Sequence, residues 1–232
     1  MSTASRPLPL ADSPPVLSVA VDGAEVATAA AVPTLRFRTR ITAADTRPVR
    51  SVTLNVQVRI AAAERTYDAA TQQRLVELFG LPAEWARSLR DLLWTTAVVQ
   101  VPAFQGHTVV DVPVPCTYDF DVVATKYLHA VRDGEIPLEF LFSGTVFYTA
   151  GDLLQAAQLP WDTTARYRMP AARWRELMDT YFPHSAWVRL DRTTFDQLYA
   201  YRARHTLTTW DEAVTALLRA AGHDGGGEHD TQ

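Results

Sequence analysis

Two stretches decide the fold: Leu35-Arg36-Phe37-Arg38-Thr39-Arg40-Ile41 and Ser51-Val52-Thr53-Leu54-Asn55-Val56-Gln57-Val58-Arg59-Ile60. In both, side-chain character alternates with a period of two, which sends successive residues to opposite faces of an extended chain. Leu35, Phe37, Thr39 and Ile41 share one face of the first stretch, and Arg36, Arg38 and Arg40 share the other. Val52, Leu54, Val56, Val58 and Ile60 form the apolar face of the second. Strands with one apolar and one polar face belong to antiparallel sheets wetted on one side. The polar connection from Ala43 to Pro48 predicts that the two strands form a hairpin.

Working outward, residues 16–21 read as an earlier strand that ends in a tight turn at Asp22-Gly23. Later strands are expected over 93–101, 108–114, 118–123 and 136–148, the last bent or bulged at Ser143-Gly144. Pro102, Pro113, Pro115 and Pro137 fall at strand ends, where a missing backbone donor matters least. Strands at this spacing predict an α+β protein whose front, residues 16–150, is an antiparallel β-sandwich of the immunoglobulin-like kind. A helical insert interrupts it over residues 68–93. Asp68 is placed to cap a helix ending at Gly80, and Pro82 to open a second one carrying Trp85, Leu89, Leu92 and Leu93. After Tyr148 the period shifts to that of a helix, so residues 151–222 are expected to form a helical subdomain packed on the sandwich. Its helices open at Pro170, at Asp191 and at the capping box Thr209/Glu212; they turn Trp174, Leu177, Met178 and Tyr181, then Phe195, Leu198 and Tyr199, then Trp210, Ala213, Val214, Leu217 and Leu218 inward. Residues 1–15 and 223–232 are expected to be disordered tails.

With 232 residues, 47% of them hydrophobic, the chain builds a sizeable core without metal or disulfide staples. The single cysteine, Cys116, excludes an internal disulfide and an all-cysteine metal or cluster site within one chain. No signal-like start and no membrane-length apolar run is present, so a cytoplasmic location without membrane insertion is expected. A formal charge of −4 argues against nucleic acid as partner. No phosphate-binding glycine loop or nucleophile elbow occurs, and the histidines show no metal-ligand spacing, so neither metal nor cofactor is expected.

Two groups of residues remain as candidate sites. From Thr34 to Arg59 six arginines face one acid, Asp45; Arg36, Arg38 and Arg40 form a row, with Arg50 nearby in sequence. Such a row pairs with carboxylates of an acidic protein surface, or else is neutralised by acids on neighbouring strands. The second group, Cys116, Tyr118, Asp119 and His129, supplies a thiol, a carboxylate and an imidazole for a pocket between sandwich and helices. Asp119 and Asp121 on one strand face would suit a cation or a division of acid and base roles. The competing readings are a buried structural cysteine and a solvated acidic face.

Several blocks, among them residues 75–80, 92–95, Val112-Pro113-Val114-Pro115-Cys116-Thr117-Tyr118-Asp119-Phe120, Phe140-Leu141-Phe142-Ser143-Gly144-Thr145-Val146-Phe147-Tyr148 and 178–187, resemble an actinobacterial family of unknown function encoded near uptake [NiFe]-hydrogenase genes. The resemblance runs from about residue 16 to residue 220. It implies a non-catalytic accessory or assembly factor that binds a protein partner, a hydrogenase subunit or a maturation factor. The alternative is an enzyme or small-ligand binder using the Cys116 pocket. The sequence leaves the oligomeric state open.

Overall fold

The computed structural model describes residues 13–117, 119, 122–151, 153–183 and 188–222. The chain divides into two compact units, Met1–Trp187 and Val188–Gln232.

The first unit is built on two antiparallel sheets. One has the order β1-β2-β5, formed by β1 (Leu17–Val26), β2 (Thr34–Ala43) and β5 (His107–Pro115). The other runs β4-β3-β6-β7, from β4 (Leu92–Val101), β3 (Val49–Ile60), β6 (Glu135–Ala150) and β7 (Leu153–Gln158); β8 (Thr164–Pro170) pairs with the first half of β6. The alternation of β2 and β3 is realised: Leu35, Phe37, Thr39 and Ile41 are buried, as are Val52, Leu54, Val56, Val58 and Ile60. The inward faces meet in one hydrophobic core, where the Phe37 ring of β2 lies edge-on to Phe140 of β6 with centroids 5.1 Å apart. Burial of such aromatic and branched side chains contributes about 1.5–3 kcal/mol each and dominates the stability of the unit.

The expected β2–β3 hairpin does not form. β2 pairs with β1 and β5, and β3 with β4 and β6, so residues 44–48 carry the chain from one sheet to the other. Alternation specifies which face is buried and leaves the pairing partner open. Nor does β1 stop at Asp22-Gly23; a register shift between Val21 and Gly23 accommodates Asp22 as the extra residue, Gly23 pairs with Arg38, and the strand continues to Val26. At the expected bend, β6 runs unbroken through Ser143-Gly144, because Gly144 at φ +152° brings β3 close: a Cβ there would lie 2.0 Å from the Thr53 carbonyl oxygen.

In the insert, α1 (Ala69–Phe79) starts and stops where expected, with the Asp68 carboxylate accepting from Thr71 N at 2.6 Å and Gly80 at φ +74° closing the helix. The second helix is shorter than expected: a 3₁₀ turn from Pro82 leads into α2 (Trp85–Ser88), and Leu92 and Leu93 already belong to β4. Of the strand expected over 118–123, the described positions 119, 122 and 123 are not in a strand, and Val123 opens α3 (Val123–Ala130), whose Ala124, Tyr127 and Leu128 are buried at helical spacing; Tyr118, Phe120 and Asp121 lie outside the described residues. Thr125 Oγ1 anchors the helix start by donating to the Thr117 carbonyl at 3.1 Å.

The helical part begins later than residue 151, after β7 and β8 have extended the second sheet. α4 (Ala171–Tyr181) buries Trp174, Leu177 and Met178, and the Tyr181 hydroxyl donates to the carbonyls of Ala27 and Ala30 after β1, so this helix belongs to the first unit. At the N-terminus, Ser13 is held by Arg47, whose Nη1 donates to its carbonyl at 2.6 Å, so the chain is engaged before residue 16. Most of both expected tails, and Trp187, lie outside the described residues.

The second unit consists of α5 (Arg192–Arg204) and α6 (Trp210–Ala220). Asp191 caps α5 through Thr194 N at 2.9 Å, and Thr209 with Glu212 forms the expected capping box of α6. No helix among the described residues is long and apolar enough to cross a membrane.

Candidate functional site

The arginine row lies on the outward face of the β1-β2-β5 sheet, and the flanking strands supply its counterions. Arg40 Nη2 is 2.8 Å from Asp22 Oδ1, Arg38 Nη2 3.1 Å from Glu25 Oε1, and Arg36 Nη1 3.8 Å from Asp111 Oδ2. Two of these acids come from β1 and one from β5, so the strand order puts carboxylates on both sides of the guanidinium groups. The face is therefore a lattice of opposite charges, each exposed pair contributing at most about 1 kcal/mol. Arg50 is not part of it: it stands on β3 in the other sheet, its Nε donating to Thr149 Oγ1 at 2.9 Å.

The described residues of the second group differ in burial. Cys116 is enclosed in the core, its Sγ donating to the Val114 carbonyl at 3.3 Å, and burial pushes the thiol pKa up to about 12. A thiol so protonated is a packing group at neutral pH, since nucleophilic attack requires the thiolate. His129 lies on the exposed side of α3, its pKa lowered first by partial desolvation and then by the Arg132 and Arg74 cations. Asp119 belongs to no strand, so the expected Asp119/Asp121 strand face is not observed at the described position; Tyr118 and Asp121 lie outside the described residues. The groove along α4 lined by Ala172, Arg175, Glu176, Asp179 and Thr180 is remote from these groups in sequence and consists of exposed positions on one helix.

What sequence reasoning missed is an apolar surface on the second unit. The stripe Trp210, Ala213, Val214, Leu217 and Leu218 has the expected helical spacing, yet only Ala213 is buried. Val214, Leu217 and Leu218 are exposed, as are Phe195 and Tyr199 on α5, which the periodicity turned inward. A pair of helices buries one seam between them, and the α6 stripe is wider than that seam. The rings nonetheless form an ordered cluster: Phe195 and Trp210 have centroids 5.4 Å apart, Tyr199 and Trp210 6.2 Å, and the Arg202 guanidinium sits 4.0 Å over the Trp210 ring. The capping box and apolar period were legible, whereas exposure of the stripe depends on how few elements pack around it.

Two antiparallel sheets and several helices among the described residues define an α+β protein, and its second unit carries an exposed aromatic-aliphatic helical face. The chain belongs to a family of unknown function, DUF6084, whose model matches residues 14–225. No curated protein sequence matches it. Similar solved structures include the CARDB domain of a Pyrococcus furiosus protein, in complex with di-metal ions, at 11% identity and TM-score 0.27, covering 67% of this chain and 92% of that one. A beta-glucosidase from Kluyveromyces marxianus is similar at 10% identity and TM-score 0.24, over 67% of this chain and 15% of that one. Beta-glucosidase 3B from Thermotoga neapolitana, in complex with glycerol, follows at 10% identity and TM-score 0.21, over 66% and 17%. Overlap this loose decides neither topology nor activity.

Proposed function

We propose that this chain is a non-catalytic accessory or assembly factor that works by binding another protein in the cytoplasm, with a [NiFe]-hydrogenase subunit or maturation factor as the partner. The observation that carries the binding role is the exposed face of α5 and α6, where Phe195, Tyr199, Trp210, Val214, Leu217 and Leu218 stand in water within one small unit. Contiguous apolar faces with aromatic anchors mark protein contact sites, and a side chain of this kind, when covered, is worth 2 kcal/mol or more at the centre of an interface, by order of magnitude. The hydrogenase link rests on the likeness of the sequence blocks alone. Within this reading the two facing sheets act as an immunoglobulin-like sandwich scaffold, supported by all-antiparallel ladders and the Phe37–Phe140 contact between them.

The anchor moves from the arginine row to the helices, because a partner carboxylate would compete with Asp22, Glu25 and Asp111 already beside Arg40, Arg38 and Arg36. The partner chemistry that fits is an apolar groove bearing acids at its rim, which would close over the rings and meet Arg202 and Arg204 at the end of α5. The test is biolayer interferometry of the full chain against purified hydrogenase subunits and maturation factors. Leu218→Asp and Val214→Asp, both at exposed positions, are expected to weaken binding about tenfold or more, with Arg38→Ala and Cys116→Ser changing it by less than about threefold. Absence of binding to every component, or binding indifferent to the two α6 substitutions, would overturn the reading.

A further inference from the structure

β7 ends its sheet, paired on one side with Thr145–Ala150 of β6 and carrying no ladder on the other among the described residues. Of Leu153-Leu154-Gln155-Ala156-Ala157-Gln158, five are exposed and Ala157 is half-buried, so neither face of this strand packs into the core. Leu153 and Leu154 are 67% and 66% exposed. The other end strands lie along neighbours, β1 beside β8 and β4 beside β5. Exposed edges are ordinarily blunted by charge, proline or a bulge, since their free N–H and C=O groups are a template for another strand. From Leu153 to Leu159 there is neither charge nor proline, and no register shift interrupts the pairing with β6.

We propose that this edge pairs antiparallel with β7 of a second copy of the chain, on a two-fold axis through Gln155. Read against its own reverse, the segment 153–157 sets Leu153 opposite Ala157 of the second copy, Leu154 opposite Ala156, and Gln155 opposite Gln155. Every leucine meets an alanine, so side-chain volume is shared evenly on both faces of the new ladder. On the axis the two amides face each other, and each brings both a donor and an acceptor, so they satisfy one another. A slip of one residue sets Leu153 against Gln158 and splits the amide pair, which favours the symmetric register. The β4-β3-β6-β7 sheet then continues across the axis into the second copy, an isologous contact. Trp161, 92% exposed on the turn leaving β7, comes beside the Ala150-Gly151 turn of the second copy and anchors each end of the pairing. Nothing in this pairing depends on the α5–α6 docking face.

Sedimentation velocity of the full chain over about 1–100 µM tests it, a range suited to a small interface. The wild type is expected to dimerise reversibly. Gln155→Lys and Gln155→Glu each place two like charges on the axis and are expected to raise the dimer dissociation constant about tenfold or more. An equimolar mixture of the two variants is expected to restore dimers, because the lysine of one then faces the glutamate of the other. Unfolding of each variant, followed by circular dichroism, checks that the exposed position leaves the monomer intact. A wild type that stays monomeric, a dimer that persists in both variants, or a mixture that fails to regain it overturns the proposal.

Discussion

Replacing Gly144 by alanine tests the closest backbone approach in the core. Gly144 sits in the centre of β6 opposite Leu54 of β3, and its Cβ would lie 2.0 Å from Thr53 O, 3.1 Å from Thr53 C and 3.2 Å from Leu54 Cα. Two penalties combine. An alanine forced to φ +152° occupies backbone space used almost only by glycine, at roughly 1–3 kcal/mol. Relieving the 2.0 Å contact requires moving main-chain atoms of a central strand, comparable to core overpacking at about 1–3 kcal/mol. Their midpoints together give a loss of about 4 kcal/mol, and with roughly 2–4 °C per kcal/mol for a unit of this size the melting temperature falls by about 8–16 °C. Gly151→Ala is the control: its φ is +59° but nothing lies within 4 Å of an added Cβ, so it carries only the left-handed backbone penalty of about 1–2 kcal/mol. Differential scanning calorimetry of the two variants beside wild type measures the contrast. If Gly144→Ala melts no lower than Gly151→Ala, the close β3–β6 approach and the reasoning built on it are wrong.

Cys116 is expected to resist iodoacetamide in the folded protein at pH 8 and to react once urea exposes it, which mass spectrometry reads directly. Its folded pKa, about 12, lies above the ordinary thiol value of 9.0, so the neutral thiol's stabilisation is fully present below pH 9 and is lost as pH rises towards 12. The advantage of wild type over Cys116→Ala in urea titrations should accordingly shrink above pH 9, by about 1.4 kcal/mol per unit at most. In the cluster beneath the insert, the Tyr67 and Tyr127 hydroxyls are 2.8 Å apart, and Tyr67 also donates to the Ala62 carbonyl at 2.7 Å. Tyr67→Phe strips the fully buried Tyr127 hydroxyl of its bond and should destabilise by about 1–3 kcal/mol, more than Tyr127→Phe, which leaves Tyr67 bonded to Ala62. Equal losses in chemical denaturation would contradict that asymmetry.

Much of the fold was legible because burial acts residue by residue. The inward faces of β2 and β3, the Asp68 and Asp191 caps, the Gly80 stop and the Thr209/Glu212 box each follow from a few adjacent positions. Pairing was not legible, since β2 finds its second partner in β5, whose residues lie about seventy positions further along the chain. β8 carried a readable signal, Ala165, Tyr167 and Met169 inward between Arg166 and Arg168, which the helical pattern after Pro170 obscured. α3 likewise announced itself in Ala124, Tyr127 and Leu128, but the neighbouring Val122 and Val123 favour strand. β7 had no periodic signal to read, because it buries no face.

The same limit explains why the candidate surfaces changed places. The charge of the arginine row is a local count, but whether it is free depends on register: Glu25 stands opposite Arg36 and Asp111 opposite Arg38 only because β1 and β5 flank β2. Once those strands are in place, the row becomes a mixed face of modest worth. The α6 stripe runs the other way. Its period predicts burial, and burial requires a neighbour that two helices alone do not supply, so a pattern written for a core ends up in water. β7 repeats the logic in extended form, with ladder groups and leucines that no strand among the described residues covers. In both places the sequence carries an apolar or hydrogen-bonding pattern that the described residues leave uncovered, which is why the two proposals assign α6 to a chain of different sequence and β7 to a copy of the same one.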